Sequence, residues 1–377
     1  MRRPFNLLCS AAIILMTGVI TPHGQAALPL ERLTLPAGFS IAVWAEVENP
    51  RQLAIDNQGI VYAGTRRAGK LHALADLDQD GIADWQKVIA EGLNLPSGVA
   101  VKGDTLYIGD VSTIYALQNL RDIRADKAAV LKPIYSGFPS EKHHGWKFIA
   151  FGPDGKLYVP VGAPCNICLS DDERFASILT MDVDQPDRAP SIFARGVRNS
   201  VGFDWHPETG ALWFTDNGRD RMGDDTPSCE LNIAPAPGLH FGYPFVHDPS
   251  VLDPEFGGRA GDLTFESAAV SLGPHVAPVG MTFYQGESFP EAYQNQALIA
   301  LHGSWNRSQS AGHTGYQVVM IEEKEGQLQL TPFIDGWLQN NRAWGRPADL
   351  LTLPDGSLLI SDDFANVIYR VTFHSAS

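Results

Sequence analysis

Residues 151–162 read FGPDGKLYVPVG: an apolar residue, a Pro-Asp-Gly turn, then a short hydrophobic strand closed by glycine. Proline presets φ for the first turn position and Asp-Gly completes the reversal, so the phrase encodes a tight connection between two strands. The chain says nearly the same thing at 351–363 (LTLPDGSLLISDD) and at 203–218 (FDWHPETGALWFTDNG). Looser copies stand at 54–65 (AIDNQGIVYAGT) and 99–110 (VAVKGDTLYIGD). Taking the first apolar residue after each turn as an anchor gives Val61, Leu106, Leu157, Leu212 and Leu358, with Leu298 after an expanded turn. Repeated multi-strand units of roughly 45–60 residues are the mark of a β-propeller with one four-stranded sheet per blade. The six anchors therefore predict an all-β, six-bladed propeller, with the ring closed near the termini. Two packed sandwiches would suit the composition but give no reason for the repeat. The step from Leu212 to Leu298 exceeds one blade, so residues 219–275 are expected to hold a long loop at the mouth. The best short helical candidate is LQNLRDIRAD at 117–126.

The chain opens MRRPFNLLCSAAIILMTGVITPHGQAALPL, two arginines before an apolar run and a small-residue site near Ala26. That is the pattern of a secretory signal peptide over residues 1–26, and it predicts a periplasmic or secreted protein whose remaining 27–377 form the propeller. The apolar run is short for a membrane span. The formal charge of −15 becomes about −17 without the leader, which holds two arginines and no acids. Such a balance argues against nucleic acid or anionic membranes as partners. It also makes any cluster of arginines informative. Cys165 and Cys168 in CNIC are spaced for a local disulfide that would leave Cys229 free, whereas a zinc knuckle needs a second pair that the chain lacks.

In a propeller, residues just before each innermost strand and just after the second strand gather at one mouth of the central channel. Those slots read NPRQL (49–53), LPSG (95–98), HHGWK (143–147), GVRN (196–199), HVAPVG (275–280) and GRPAD (345–349), then GAP (162–164), DNGRD (216–220), HGSWNR (302–307) and SDD (361–363). Histidine, arginine, asparagine and backbone-exposing glycine thus converge at one end.

HHGWKFIAFGPDGKLYVPVGAPCNIC, IFARGVRNSVGFDWHPETGALWFTDNGRDRMGDD, HGSWNR and GRPADLLTLPDGSLLISDD also resemble the soluble quinoprotein sugar dehydrogenases, most closely the L-sorbosone and aldose sugar dehydrogenase branch, from about residue 30 to 373. The resemblance implies a cofactor, pyrroloquinoline quinone (PQQ), with calcium at the mouth, a small sugar as substrate and an external electron acceptor, since no Cys-x-x-Cys-His haem motif is present. It implies His144 as the general base, with His143 the fallback, because a neutral imidazole suits hydroxyl deprotonation near neutral pH. Arg198 and Asn199 match the cofactor-facing Arg-Asn pair, Arg198 standing against the quinone oxygens; Asn217 and Arg346 match further cofactor contacts. His302 or Arg307 fills the place of a cofactor-binding lysine. The backbone carbonyls of Gly218 and Arg219 match the calcium pair, hard oxygen donors of the kind calcium prefers. Two departures stand out. Ala163 occupies the slot of an Asp that orients the histidine, and Ala348 that of a second cofactor arginine.

A separate stretch, DLDQDGIAD at 76–84, has acids at places one, three, five and nine with glycine at six, like the front of an EF-hand loop, but residue 87 is Lys where the twelfth-place Glu would stand. It reads as a structural calcium loop in a β-hairpin, using Asp76, Asp78, Asp80, the Ile82 carbonyl and Asp84. Two other functions fit a six-bladed propeller: a calcium-dependent lactonase, which needs Glu, Asn and Asp side chains at the channel, and a non-catalytic binding propeller.

Overall fold

A computed structural model describes residues 28–125, 128–248 and 250–375. The leader at 1–26 lies outside the described residues. Six antiparallel four-stranded units follow one another around a central axis. Blade one is Pro50–Ile55, Val61–Thr65, Leu71–Ala75 and Trp85–Ala90; blade two is Gly98–Lys102, Thr105–Gly109, Ile114–Gln118 and Lys132–Tyr135. Blade three is Ala150–Phe151, Leu157–Val161, Ser177–Met181 and Ser191–Arg195; blade four is Phe203–Trp205, Leu212–Asp216, Ser228–Ala234 and Val270–Pro274. Blade five is Pro278–Phe283, Ala297–Leu301, Gln317–Lys324 and Gln327–Ile334. Blade six takes Pro347–Thr352, Leu358–Asp362 and Val367–Phe373 from the C-terminus and its outermost strand, Phe39–Glu46, from the N-terminal end. That borrowed strand closes the ring, as the repeat predicts. Each anchor residue lies in the second strand of its blade.

The second strands explain why the phrase is so apolar. Val61–Thr65, Leu157–Val161, Leu212–Asp216, Ala297–Leu301 and Leu358–Asp362 are buried at every position, because each is covered on both faces by neighbouring blades. A strand covered on both faces needs a continuous apolar run rather than alternation. The core is accordingly six separate clusters, each wedged between two adjacent blades. The blade five–six cluster holds Tyr284 stacked on Phe289 and the fully buried Trp337; the blade six–one cluster holds Trp44, Leu53, Leu359 and Ile368. Polar staples link the innermost strands across blades: Leu53 N–H donates to Asp349 (2.7 Å), Phe283 N–H to Asp204 (2.8 Å), and Gln52 accepts from Val99 and Ile149 N–H (both 3.0 Å).

Two expectations are corrected. The helical candidate at 117–126 is the end of a strand followed by one 3-10 turn, Leu120–Asp122. Leu117, Leu120 and Ile123 reach the core, but Leu117 does so from the strand, and Asn119 in the left-handed region breaks the run before a helix starts. The long excursion is also shorter than 219–275, since Ser228–Ala234 and Val270–Pro274 belong to blade four. Residues 235–269 leave the blade, and Leu239–His240 adds a parallel fifth strand to the edge of blade three.

Candidate active site

At the mouth the loops enclose a cavity of about 390 Å³, within the usual range for ligand pockets. Its wall contains Arg51, Arg66, Arg67, Arg198 and Arg346 from blades one, four and six, with His144, Asn199, Asn217, Gly218, His302 and Trp305. Of the residues expected from sequence, His144, Arg198, Asn199, Asn217, Gly218, His302 and Arg346 come together here. Arg307 does not. Its guanidinium turns away to the Gly312 carbonyl (2.6 Å), the Asp224 carbonyl and Asp225 (3.2 Å), so of the two candidates for the lysine place only His302 reaches the pocket. The Arg219 side chain also leaves, pairing with Asp253, which accepts a second bond from His247 (2.8 Å); only its backbone remains beside Gly218.

His144 is buried, with φ of 51°. Its Nδ1 lies 2.9 Å from the Ala163 carbonyl, an acceptor, so Nδ1 carries the proton and Nε2 keeps its lone pair. The residue in the orienting Asp's place thus orients the ring through its backbone. Burial, then Arg198 and His143, push the His144 pKa well below the ordinary 6.5; the imidazole is neutral near pH 7. Gly162 permits this packing, since a Cβ there would meet the His144 Cβ at 2.5 Å. The His143 ring lies 4.0 Å away, tilted 54° to that of His144, and its pKa is lowered by burial and by Arg198.

Arg198 is gripped on several sides. Nε and Nη2 donate to the backbone and side-chain oxygens of Asn166 (both 2.9 Å), Nη1 to the Asn217 carbonyl (3.0 Å), and Asp220 lies 3.4 Å away. The backbone N–H groups of Arg198 and Asn199 converge on Asp216 (2.8 and 2.7 Å), whose carboxyl burial raises to about 6. Among the described residues the Asn199 carboxamide has no hydrogen-bond partner, and the Trp146 indole N–H is buried without one. Arg346 donates to the carbonyls of His302 (2.9 Å) and Gly303 and lies over Tyr316. His302 Nε2 is 2.6 Å from Asp363, which also pairs with Arg51 (2.9 Å). Burial would raise the Asp363 carboxyl, but Arg51 and His302 hold it well below the carboxylate range; burial takes His302 down to about 4.

Sequence reasoning missed Arg51, Arg66, Arg67 and Asn166. Arg51 stands in NPRQL before an innermost strand, and Arg66 follows a second strand, the same kind of slot that is polar in other blades. Asn166 sits between Cys165 and Cys168, which form a disulfide; Cys229 is free and buried. Ala348 faces a small cavity shared with Arg51 and Trp146, so a guanidinium from blade one stands beside the slot that lacks its arginine.

In the outer hairpin of blade one, ligand oxygens of Asp76, Asp78 and Asp84 lie within 4.8 Å of one another. Asp80 is not in that group; its carboxylate accepts the Ile82 N–H (2.9 Å). Asp76 also pairs with Arg370 (3.4 Å). Among the described residues no helix is long and apolar enough to cross a membrane.

A family defined as a domain of unknown function, DUF7133, matches residues 27–375. The chain belongs to the DUF7133 family. Another similar protein is an uncharacterized protein of Borreliella burgdorferi, 33% identical over 356 residues, covering 90% of this chain and 91% of the relative. Among solved structures, this DUF7133 chain resembles the PQQ domain of pyranose dehydrogenase from Coprinopsis cinerea (18% identity, 90% and 97% of the two chains, TM-score 0.73). It also resembles the PQQ-bound aldose sugar dehydrogenase of Streptomyces coelicolor (18% identity, 90% and 100%, TM-score 0.62). At that identity the likeness establishes the propeller fold.

Proposed function

We propose that this DUF7133 protein is a PQQ- and calcium-dependent dehydrogenase, exported from the cytoplasm, that oxidises an aldose or sorbosone-like sugar aldehyde and hands electrons to an external acceptor. One observation carries the reading: five arginines surround a pocket whose wall also holds a buried, neutral, oriented histidine. In a chain of net charge −15 such a concentration of cations calls for an anionic ligand. The two solved PQQ proteins of the same fold support PQQ as that ligand.

The residues fit the cofactor. PQQ carries three carboxylates and an ortho-quinone, and Asp220 is the one carboxylate in the described pocket wall. Arg198, Asn199, Asn217, His302 and Arg346 would hold it, with Arg51 beside the place that Ala348 leaves open. The Gly218 and Arg219 carbonyls would hold calcium, which takes oxygen ligands. Bound there, the pair supplies a polarised two-electron acceptor for the hydride of the sugar's carbinol carbon. The chain does the rest. Ala163 fixes the His144 tautomer, leaving Nε2 to take the hydroxyl proton, and Arg198 with burial keeps that nitrogen unprotonated beforehand. Arg198 itself is held rigid by Asn166 and Asn217, so its charge meets the ligand without reorganisation. A lactonase would need a carboxylate cluster at the channel, and the described wall offers Asp220 alone. The hairpin loop at Asp76, Asp78 and Asp84 is proposed as a second, structural calcium site.

Calorimetric titration of PQQ into calcium-loaded protein, followed by dye-coupled assays with aldoses, tests the reading. Saturable binding near one equivalent and PQQ-dependent turnover are expected; no PQQ binding refutes it, and metal-dependent lactone hydrolysis would replace it.

A further inference from the structure

The five mouth arginines are not equivalent. Arg51 is paired with Asp363, Arg198 is gripped by Asn166, Asn217 and Asp220, and Arg346 spends donors on two carbonyls. Arg66 differs. Its guanidinium lies on the Trp146 ring at 3.7 Å, and among the described residues it has no hydrogen bond or ion pair. A stacked guanidinium keeps its in-plane N–H edges free for a planar or tetrahedral anion. Burial, then Arg51, pushes its pKa down to about 9, as befits a cation short of a counter-charge. The next residue, Arg67, is exposed on the same wall, and its guanidinium likewise has no partner among the described residues. Both are held at the backbone: the Asn49 carbonyl accepts the Arg66 N–H (3.4 Å), the Asn49 side chain accepts the Arg67 N–H (2.6 Å), and Asn49 itself donates to the Asp363 carbonyl (3.0 Å).

This unspent pair stands close to the reacting histidine. The Trp146 ring is 6.2 Å from the His144 ring and 3.7 Å from the Arg66 guanidinium, which places the guanidinium within about 10 Å of the imidazole. A pyranose with a hydrogen bond at each end bridges such a gap. Charge balance points the same way. Five arginines of the described wall face Asp220 as its one carboxylate, so the wall keeps a surplus of positive charge that favours a further anion.

We propose that the sugar oxidised here is itself anionic, its carboxylate or phosphate held by Arg66 and Arg67 while its carbinol carbon faces His144. This rests on the dehydrogenase reading above and narrows it from sugars in general to uronate-like or phosphorylated ones. Trp146 gives Arg66 a fixed plane, and exposed Arg67 draws the ligand in from solvent.

The test is calorimetric titration of D-glucuronate, D-glucose 6-phosphate and D-glucose at low ionic strength into the protein, in the parent and in Arg66→Ala and Arg67→Ala. At least one anionic sugar is expected to bind ten-fold or more tighter than glucose, the scale of one charge-assisted contact. The better of the two anions separates carboxylate from phosphate. Arg66→Ala should erase most of that preference, and exposed Arg67→Ala, which cannot disturb the core, should reduce it. Glucose binding as tightly as both anions, or a preference that survives both substitutions, overturns the inference. So does an Arg66→Ala variant that loses PQQ affinity while keeping the anion preference, since the residue then serves the cofactor. A parent that binds no PQQ removes the dehydrogenase reading yet leaves the anion preference directly readable.

Discussion

Asn166→Ala probes how the mouth is held together. The side chain makes three bonds: Oδ1 accepts from Arg198 Nη2 (2.9 Å) and from the Asp220 N–H (2.8 Å), and Nδ2 donates to the Asp220 carbonyl (3.0 Å). The first is charge-assisted and contributes about 1.5–3 kcal/mol; each neutral bond contributes about 0.5–1.5 kcal/mol. Asn166 is half-buried, so water replaces part of what is lost, and the lower end of the summed range, about 2.5–3 kcal/mol, is the better expectation. With an unfolding entropy of about 2.1 cal/mol/K per residue, a domain of roughly 350 residues loses about 3–4 °C of Tm. The bond from Arg198 Nε to the Asn166 backbone survives the substitution, so the guanidinium loosens without being freed. PQQ affinity is then expected to fall about ten-fold, one contact's worth. Differential scanning calorimetry and PQQ titration on the same preparation read both numbers. A Tm within about 1 °C of the parent together with unchanged PQQ affinity would refute the claim that Asn166 positions Arg198.

His144→Ala should cost about 10²–10⁴-fold in dye reduction while PQQ still binds; because His144 titrates below 6.5, kcat/KM of the parent should stay flat from pH 8 down to 6.5 and fall only below it. Unchanged turnover would move the base to His143 or His302. Asp78→Ala should abolish a calcium-dependent gain in Tm without altering turnover at saturating PQQ, as the hairpin loop lies away from the mouth; a folded but inactive variant would place the loop in the active site. Asp349, buried in the inner strand of blade six, has its pKa raised by burial to about 8. A raised folded-state pKa means that the native protein holds the proton longer than the unfolded chain, so this stabilisation is full below the ordinary carboxylate pKa and drains away as pH climbs to about 8. Asp349→Asn should flatten Tm against pH across that window, and an unchanged slope in thermal melts would contradict it.

The six blades were legible because each buries a second strand on both faces, and that requirement writes an apolar run after the preceding turn, as after Pro-Asp-Gly before Leu157 and Leu358 and Pro-Glu-Thr-Gly before Leu212. Leu157, Leu212 and Leu358 announce it by position alone. The excursion after Ala234 was misjudged because it has no repeat to be compared with, and its strand Leu239–His240 is defined by blade three, about forty residues upstream. The helical candidate at 117–126 failed for a similar reason: its pattern was local, but Leu117 is claimed by a strand of blade two and Leu120 and Ile123 pack between blades one and two without a helix.

The site divides along the same line. Propeller geometry gathers HHGWK, GVRN, DNGRD, HGSWNR and GRPAD at one mouth, and the resemblance to quinoprotein sugar dehydrogenases singled out His144, Arg198, Asn199, Asn217, His302 and Arg346 within them before any distance was known. Which partner each takes is a matter of ångströms between blades. Arg307 is five residues from His302 and just as cationic, yet its loop folds it back onto the Gly312 and Asp224 carbonyls. The missing orienter of His144 is a backbone oxygen at Ala163, invisible to any reading of side chains. Arg66 becomes distinctive only when Trp146, eighty residues away and in another blade's entry loop, slides beneath it. Periodicity and composition are properties of the chain and survive in the sequence; pairing across blades depends on long-range packing, and only the closed ring decides it.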